Sequence, residues 1–419
     1  EVARVNPFDW EKAFPEIFKK GGFDAVIGNP PYRMVQPHNT EDAILNYYKN
    51  RYRVAQYKID LFHLFLFLGV ELLKLEGYQG FIVPSSTLNN VYAKTIRKYI
   101  LRNCSLKNIS IADEKVFKNA DVHTMVLIFQ REKDKVTRYH NTLSITTHLN
   151  SQNYKLLRNY KFLSQSNFET LPGGVWNVLI DTKNANLVLH LINDYPKLKE
   201  FTKINRGLIT GNRSKYFSKN KISEDHVPII TGSDVSRYYS DKPSEFVLFK
   251  KPQRAGGCWD PNIHLSQHKL VIRQIGKKPM ASYINSPIAF TGNLFSIISS
   301  SKLNELYILG IINSKLIEFF WKIMFSDFKK SFPQVTVFSV KQIPIKEINN
   351  NNNSQLKQYK QMISIVEHML ELNKRTPQTP FEQEQLEREI TATDAQIDRL
   401  VYDLYGLTDE EIKIVEGEN

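Results

Sequence analysis

The sequence predicts an α/β chain in which the later half of a doubly wound sheet is followed by an α+β segment and a helical C-terminal segment. Three observations carry this. Short apolar runs alternate with helix-length amphipathic or apolar segments over roughly the first third. From about residue 156 the pattern changes to short β-like runs between turns, with basic and aromatic residues interleaved. After the Asn run Asn349–Asn353, two long helical periods close the chain. The expected domains are therefore 1–155, 156–350 and 351–419.

The first strand predicted is Phe23 to Ile27, an apolar run of the length and composition of a buried parallel strand. Before it, Glu11 to Lys20 reads as a helix closed by Gly21-Gly22. Gly28 ends the strand, and Asn29-Pro30-Pro31-Tyr32 follows. Two prolines hold this turn extended and stiff. The carboxyl ends of strands are where open α/β sheets bind ligands. The Asn29 side-chain carbonyl and the Pro30 backbone carbonyl are two acceptors on one rigid turn, and Pro31 has no N–H to compete. They suit a flat amino group with two N–H donors, and Tyr32 offers a ring for a planar base.

Residues 33–57 read as a polar, aromatic surface loop with helical pieces. Ile59 to Glu76 is apolar on nearly all sides and reads as a buried helix, capped by Asp60 and ended by Gly77. Gly80 to Ser85 is a second buried strand. Val91 to Leu101 is a helix with Lys94, Arg97, Lys98 and Arg102 on its polar side. Leu106 to Ala112 and Val122 to Gln130 form an antiparallel hairpin. Residues 140–167 read as a linker plus strand.

In the second segment Asn184 to Asp194 is an amphipathic helix, followed by strands at Val227–Thr231, Glu245–Phe249, Lys269–Ile275 and Ile288–Ser299. Basic and aromatic side chains interleave here, which suits phosphate plus base contacts. Arg206, Arg213, Lys215, Arg237, Tyr238, Arg273, Lys277 and Lys278, with Asn212, are the candidates for such contacts. At the C-terminus, Leu356–Leu372 and Gln383–Tyr405 are helices, and Thr408-Asp409-Glu410-Glu411 is a capping box.

Charge points the same way. Residues 381–419 hold twelve acidic and three basic residues, a net of −9, so residues 1–380 carry +22. A basic body with an acidic tail points to a polyanionic partner. The longest apolar run, Leu61 to Val70, contains His63 and is too short for a bilayer, so no membrane contact is expected. Cys104 and Cys258 lie far apart, which gives no zinc spacing and no disulfide framework and suits a cytoplasmic location. No metal is expected.

Asn29-Pro30-Pro31-Tyr32 resembles motif IV of the amino-group methyltransferases. Asp9-Trp10, Phe14-Pro15, Gly22-Phe23-Asp24 and Gly28 to Tyr32 together resemble the γ-class, TaqI-like adenine-N6 DNA methyltransferases, including forms fused to a restriction nuclease. Lys58-Ile59-Asp60-Leu61-Phe62 resembles motif V, Gly80 to Ser85 motif VI, and Val116-Phe117 motif VIII. Gly207 to Asn212, Thr231 to Tyr238, Tyr307 to Leu316 and Ile343-Pro344-Ile345 resemble pieces of the same enzymes' target-recognition domain, and Ile397 to Leu407 their C-terminal end.

The resemblance implies the C-terminal half of a Rossmann-like, S-adenosylmethionine-dependent methyltransferase sheet, then a recognition domain acting on double-stranded DNA in a restriction–modification system. It implies that Asn29, Pro30 and Tyr32 are catalytic, that Tyr32 and Phe117 stack on a flipped base, and that Asn29, Pro31, Asp60 and Phe62 touch S-adenosylmethionine. In the family a Gly-rich cofactor loop precedes motif IV by a wide margin. Here only 28 residues precede Asn29 and none form such a loop. A fragment inactive alone and weak in cofactor binding is the expectation. An RNA or protein-amide methyltransferase, and a DNA-binding specificity module without catalysis, are the alternatives.

Overall fold

The computed structural model describes residues 7–55, 59–112, 122–149, 161–169, 171, 174–180, 184–300, 303–325 and 334–418. The chain divides into two compact units, residues 1–182 with 327–329, and residues 183–326 with 330–419.

The first unit is built on a six-stranded mixed sheet in the order β1-β4-β6-β5-β7-β8. Two short helices, α1 (Trp10–Ala13) and α2 (Pro15–Lys19), lead into β1 (Phe23–Gly28). One helix was predicted here, but Pro15 cannot continue the ladder, and it starts a new turn instead. Then come β2 (Met34–Val35), α3 (Asp42–Arg51), β3 (Ile59–Asp60), α4 (Leu61–Leu72), β4 (Leu73–Pro84), α5 (Lys94–Asn103), β5 (Cys104–Ala112), β6 (Thr124–Arg131), α6 (Lys135–Tyr139), β7 (Thr142–Leu149) and β8 (Lys161–Ser164). β1 pairs parallel with β4, and β6 returns antiparallel between β4 and β5. The strand–helix alternation and the hairpin are those the apolar pattern predicts.

Three expectations need correction. β1 is an edge strand, and Ile27 is 86% exposed, because β4 covers only one of its sides. The apolar helix stops at Leu72, since Leu73 already pairs with Phe23 and the strand runs on to Pro84. Residues 142–149 and 161–164 are sheet strands, pairing at Asn108↔Ser144 and Leu143↔Leu163, so this unit extends past 155. One core joins α4, α5 and the sheet. Phe62, Leu66, Phe67, Val70, Ile96 and Ile100 pack against Phe81, Val83, Leu127 and Phe129. Each such burial contributes roughly 1.5–3 kcal/mol.

In the second unit, α7 (Ala185–Asn193) and α8 (Leu198–Phe201) precede β9 (Thr202–Arg206). α9 (Arg213–Tyr216), β10 (Phe217–Ser218), β11 (His226–Ile230), β12 (Val235–Ser236), β13 (Tyr239–Ser240) and β14 (Glu245–Leu248) follow. α10 (Pro261–His264), β15 (Lys269–Arg273), β16 (Ala281–Ile284), β17 (Ala289–Phe290) and β18 (Leu294–Ser299) complete the strand-rich part. They form two four-stranded sheets, β10-β14-β11-β17 and β16-β15-β18-β9, and a two-stranded one, β12-β13. The predicted strand 288–299 is two strands in different sheets, broken at Thr291–Asn293.

Helices α11 (Glu305–Ile312), α12 (Lys315–Phe325), α13 (Val337–Lys341), α14 (Asn353–Leu372), α15 (Pro380–Tyr405) and α16 (Asp409–Glu416) close the unit. The C-terminal helices belong to the same compact unit as the strands rather than forming a third one. Buried Tyr405 shows why. Its hydroxyl donates to the Pro344 carbonyl at 2.9 Å, and its own carbonyl accepts from Tyr195 at 2.8 Å. α15 ends at Gly406 in the left-handed region, and the Thr408–Glu411 capping box opens α16. No helix among the described residues is long and apolar enough to cross a membrane.

Candidate functional site

In the first unit β1 brings Gly28 into register with Phe81, so the Asn29–Tyr32 turn leaves the carboxyl end of a strand in a parallel pair. Pro30 is buried, while Asn29 and Pro31 are exposed. Tyr32 is half-buried. Its hydroxyl donates to the Ile82 carbonyl at 2.9 Å, and its ring meets Phe62 edge-on at 6.2 Å. Burial pushes the Tyr32 hydroxyl up to about 12, so it stays a neutral donor. The turn is thus anchored at both ends of the tetrapeptide, with the Asn29 amide left facing solvent.

A two-residue ladder then closes the loop after the turn. β2 pairs antiparallel with β3 through Met34↔Asp60 and Val35↔Ile59, and the Leu61 N–H donates to the Arg33 carbonyl at 3.0 Å. This stitch carries Asp60 and Phe62 beside Tyr32. Asp60 stands at the start of α4 but makes no side-chain cap; its Oδ1 is buried without a partner. Burial raises its carboxyl to about 6, against the pull of the Phe62 and Leu61 N–H groups. Phe62 is 3% exposed, with its ring against Tyr32 and, at 4.2 Å, His63.

His63 was not singled out from sequence. It is buried, its Nε2 lacks a partner, and burial, then Arg97, pushes its imidazole down to about 4, so it is neutral. Asp60, Phe62 and His63 share a niche of about 20 Å³ with Met34, Ser86, Thr87 and Asn90. That is room for about one water. A His inside an apolar run was the available signal. Phe117 and Lys58 lie outside the described residues.

In the second unit the nine candidate DNA-binding residues separate into two sets. Arg206, Asn212, Arg213, Lys215 and Lys277 are exposed, and Lys278 is partly so. Arg206 donates to the Gly292 carbonyl at 2.7 Å and to Gln274; Asn212 caps α9; Arg213 pairs with Glu245 and lies over Phe217; Lys278 pairs with Glu318 at 2.5 Å. Their charged ends remain at the surface.

Arg237 and Tyr238 differ from the first set, because the fold itself engages them. Arg237 forms a two-pronged pair with Asp394 of α15, and both Nε and Nη2 donate to the Asn313 carbonyl, at 2.9 and 2.5 Å. Tyr238 is 3% exposed at a φ of 63°. Arg273 is half-buried, with Nε unpartnered and Nη1 3.4 Å from the Val235 carbonyl. The Gly207 signature also has an internal reason. A Cβ there would lie 2.2 Å from the Thr291 carbonyl, so the glycine admits the chain's own backbone. Among the described residues no cluster of three or more His, Cys, Asp or Glu could hold a metal.

Residues 1–117 match the Eco57I restriction-modification methylase family, and residues 227–345 match the TaqI-like C-terminal specificity domain. Residues 1–117 are thus similar to a methylase segment and residues 227–345 to a specificity segment. It is 29% identical over 370 residues to a Methanocaldococcus jannaschii protein described as a type II restriction enzyme and methyltransferase, covering 84% of this chain and 30% of that one. It is 27% identical over 252 residues to the type II restriction enzyme and methyltransferase RM.Eco57I of Escherichia coli, covering 58% and 23%. The chain therefore spans less than a third of either relative. The solved Type IIL restriction-modification enzyme MmeI shares the fold, with a TM-score of 0.64 at 10% identity over 98% of this chain and 57% of that one.

Proposed function

We propose that this chain is the later part of the methyl-transferring domain, with the target-recognition domain, of an S-adenosylmethionine-dependent DNA adenine-N6 methyltransferase of a restriction–modification system. The exposed Asn29 amide on a turn anchored through Tyr32 and Ile82 carries this reading. The target adenine leaves the duplex stack. The Asn29 side-chain carbonyl and the Pro30 carbonyl accept its two amino protons, which localises the nitrogen lone pair. The Tyr32 ring, fixed by its hydroxyl, supports the base. S-adenosylmethionine supplies an electrophilic sulfonium methyl. With the donor held by Asn29, Pro31 and Asp60, that methyl is the group the localised lone pair would accept, the donor leaving as a neutral thioether and the amino proton passing to solvent. Positioning and electrostatics do the catalytic work.

The described residues fit one wall of a donor site. Asn29 and Pro31 are exposed beside edge strand β1, and Asp60 keeps a buried acceptor oxygen without a partner. Those three would hold the donor, while Phe62, packed on Tyr32 and His63, supports them from behind.

Asn29→Ala in the full-length protein lowers methyl transfer by about 10²–10³-fold or more while duplex binding persists. The check is methylation of plasmid DNA, followed by nucleoside mass spectrometry. Retained methylation, or a methylated base other than N6-methyladenine, overturns the proposal.

A further inference from the structure

The methylase segment carries basic residues that the turn chemistry does not use. α5, Lys94–Asn103, contains four cations and no acid. The fold divides them. Arg97 is fully buried, where Nε donates to the Gly174 carbonyl at 2.6 Å and Nη1 to the carbonyls of Thr87 and Asn90 at 2.7 and 2.8 Å. It is a strut between loops, which corrects its predicted place on the polar face. Lys94, Lys98 and Arg102 are exposed and lie four residues apart. They form one stripe about 12 Å long at 1.5 Å per residue.

The stripe lines a groove of about 650 Å³. Arg53 stands among the groove's lining residues, with its guanidinium 4.9 Å over the Tyr99 ring and 3.5 Å from Glu71. Thr95 adds a hydroxyl, and no side chain lining the groove among the described residues is acidic. Folding alone gives no reason for this arrangement. Like charges four apart on a helix destabilise it by about 0.2–0.5 kcal/mol each. A cation in the first turn, as at Lys94, also opposes the helix dipole.

We propose that this groove binds the phosphate backbone of duplex DNA, a second contact made by the methylase segment itself. The proposal rests on the DNA reading above. Shape selects the ligand: an open, linear stripe suits a polymer of phosphates better than one enclosed anion. Each strand of B-DNA places a phosphate about every 3.4 Å of axis, so a stripe of this length faces three or four. The contact is non-specific, because phosphates carry no sequence.

The test is binding of the full-length protein to duplex DNA, with and without its recognition site, across a salt series. Lys94→Ala/Lys98→Ala/Arg102→Ala lowers the slope of log affinity against log salt by about 2.7, since each phosphate contact contributes about 0.9. Affinities for both duplexes fall together and their ratio is unchanged. Alanine favours helix, and thermal melting verifies that the variant folds. Lys98→Glu alone acts in the same direction. An unchanged slope overturns the proposal, as does a loss confined to the specific duplex. Calorimetric binding of inorganic phosphate, lost in the triple variant with duplex binding intact, reassigns the groove to a free anion. A wild-type protein that binds no duplex at all overturns the DNA reading itself, a separate result.

Discussion

Asn29 sits exposed after β1, with its amide unengaged by the fold and its neighbour Tyr32 clamped beneath. Arg237 follows β12 in a similar strand-to-turn position, yet its guanidinium is held by Asp394 and Asn313, and Tyr238 is buried beside it. Both are polar–aromatic pairs at strand ends, and both look functional in sequence. The difference lies in what packs above them. Nothing described in the first unit covers Asn29, whereas α15 lies over Arg237 and supplies a carboxylate. A motif residue is available to a ligand only when the fold has not already satisfied it.

The widest test of that comparison sets Asn29→Ala, expected to remove activity and leave the fold, against Arg237→Ala. The latter leaves Asp394 without its partner. With the pair about three-quarters buried, the loss is about 2–4 kcal/mol in chain stability, read by denaturant unfolding. The folded variant keeps its salt slope for DNA. A slope lowered by about one, with stability intact, returns Arg237 to the phosphate contacts and breaks the comparison.

A smaller effect sharpens it. Asp398, on the same face of α15 as Asp394, accepts from the Lys315 N–H at 2.8 Å, and burial raises its carboxyl to about 6. The folded state therefore holds this proton more tightly than the unfolded chain. Its contribution to stability is complete below about pH 4 and is lost as pH rises through about 6. Asp398→Asn keeps the acceptor and removes the titration. The variant gains roughly 1–3 kcal/mol over wild type at pH 8 and nothing at pH 4, as compared by melting at the two pH values. Equal gains at both would place the origin elsewhere.

The smallest expected change is at Tyr32. Tyr32→Phe keeps the ring and loses the hydrogen bond to Ile82, lowering stability by about 1 kcal/mol in a urea titration. A variant as stable as wild type would show that ring packing rather than this hydrogen bond seats the ring.

Much of the fold was legible in the sequence. α7, α14 and α15 follow from apolar spacing, and Gly406 and the Thr408–Glu411 box end and restart the helix because their chemistry is local. β5 and β6 follow from apolar runs of the right length. The Asn29–Tyr32 turn was legible for the same reason: two prolines and a glycine fix backbone geometry within four residues.

What required tertiary structure is long-range. Edge exposure of β1 depends on which strands pair, and the end of α4 at Leu72 depends on Leu73 meeting Phe23. Residues 142–149 became sheet through partners in β5 more than thirty positions away. The site shows the same division. Asp60 comes beside Tyr32 only through the β2–β3 ladder. Arg97 is buried where three loop carbonyls reach it while Lys94 and Lys98 stay exposed, and Arg237 is held by Asp394 of α15 while Arg213 pairs with Glu245 at the surface. Sequence by itself determined the alternation of elements, the caps and the rigid turn, since backbone preference and apolar period act over a few residues. Tertiary structure decided which charged side chains remain free to meet a ligand, because burial and pairing are set by segments far away in the chain.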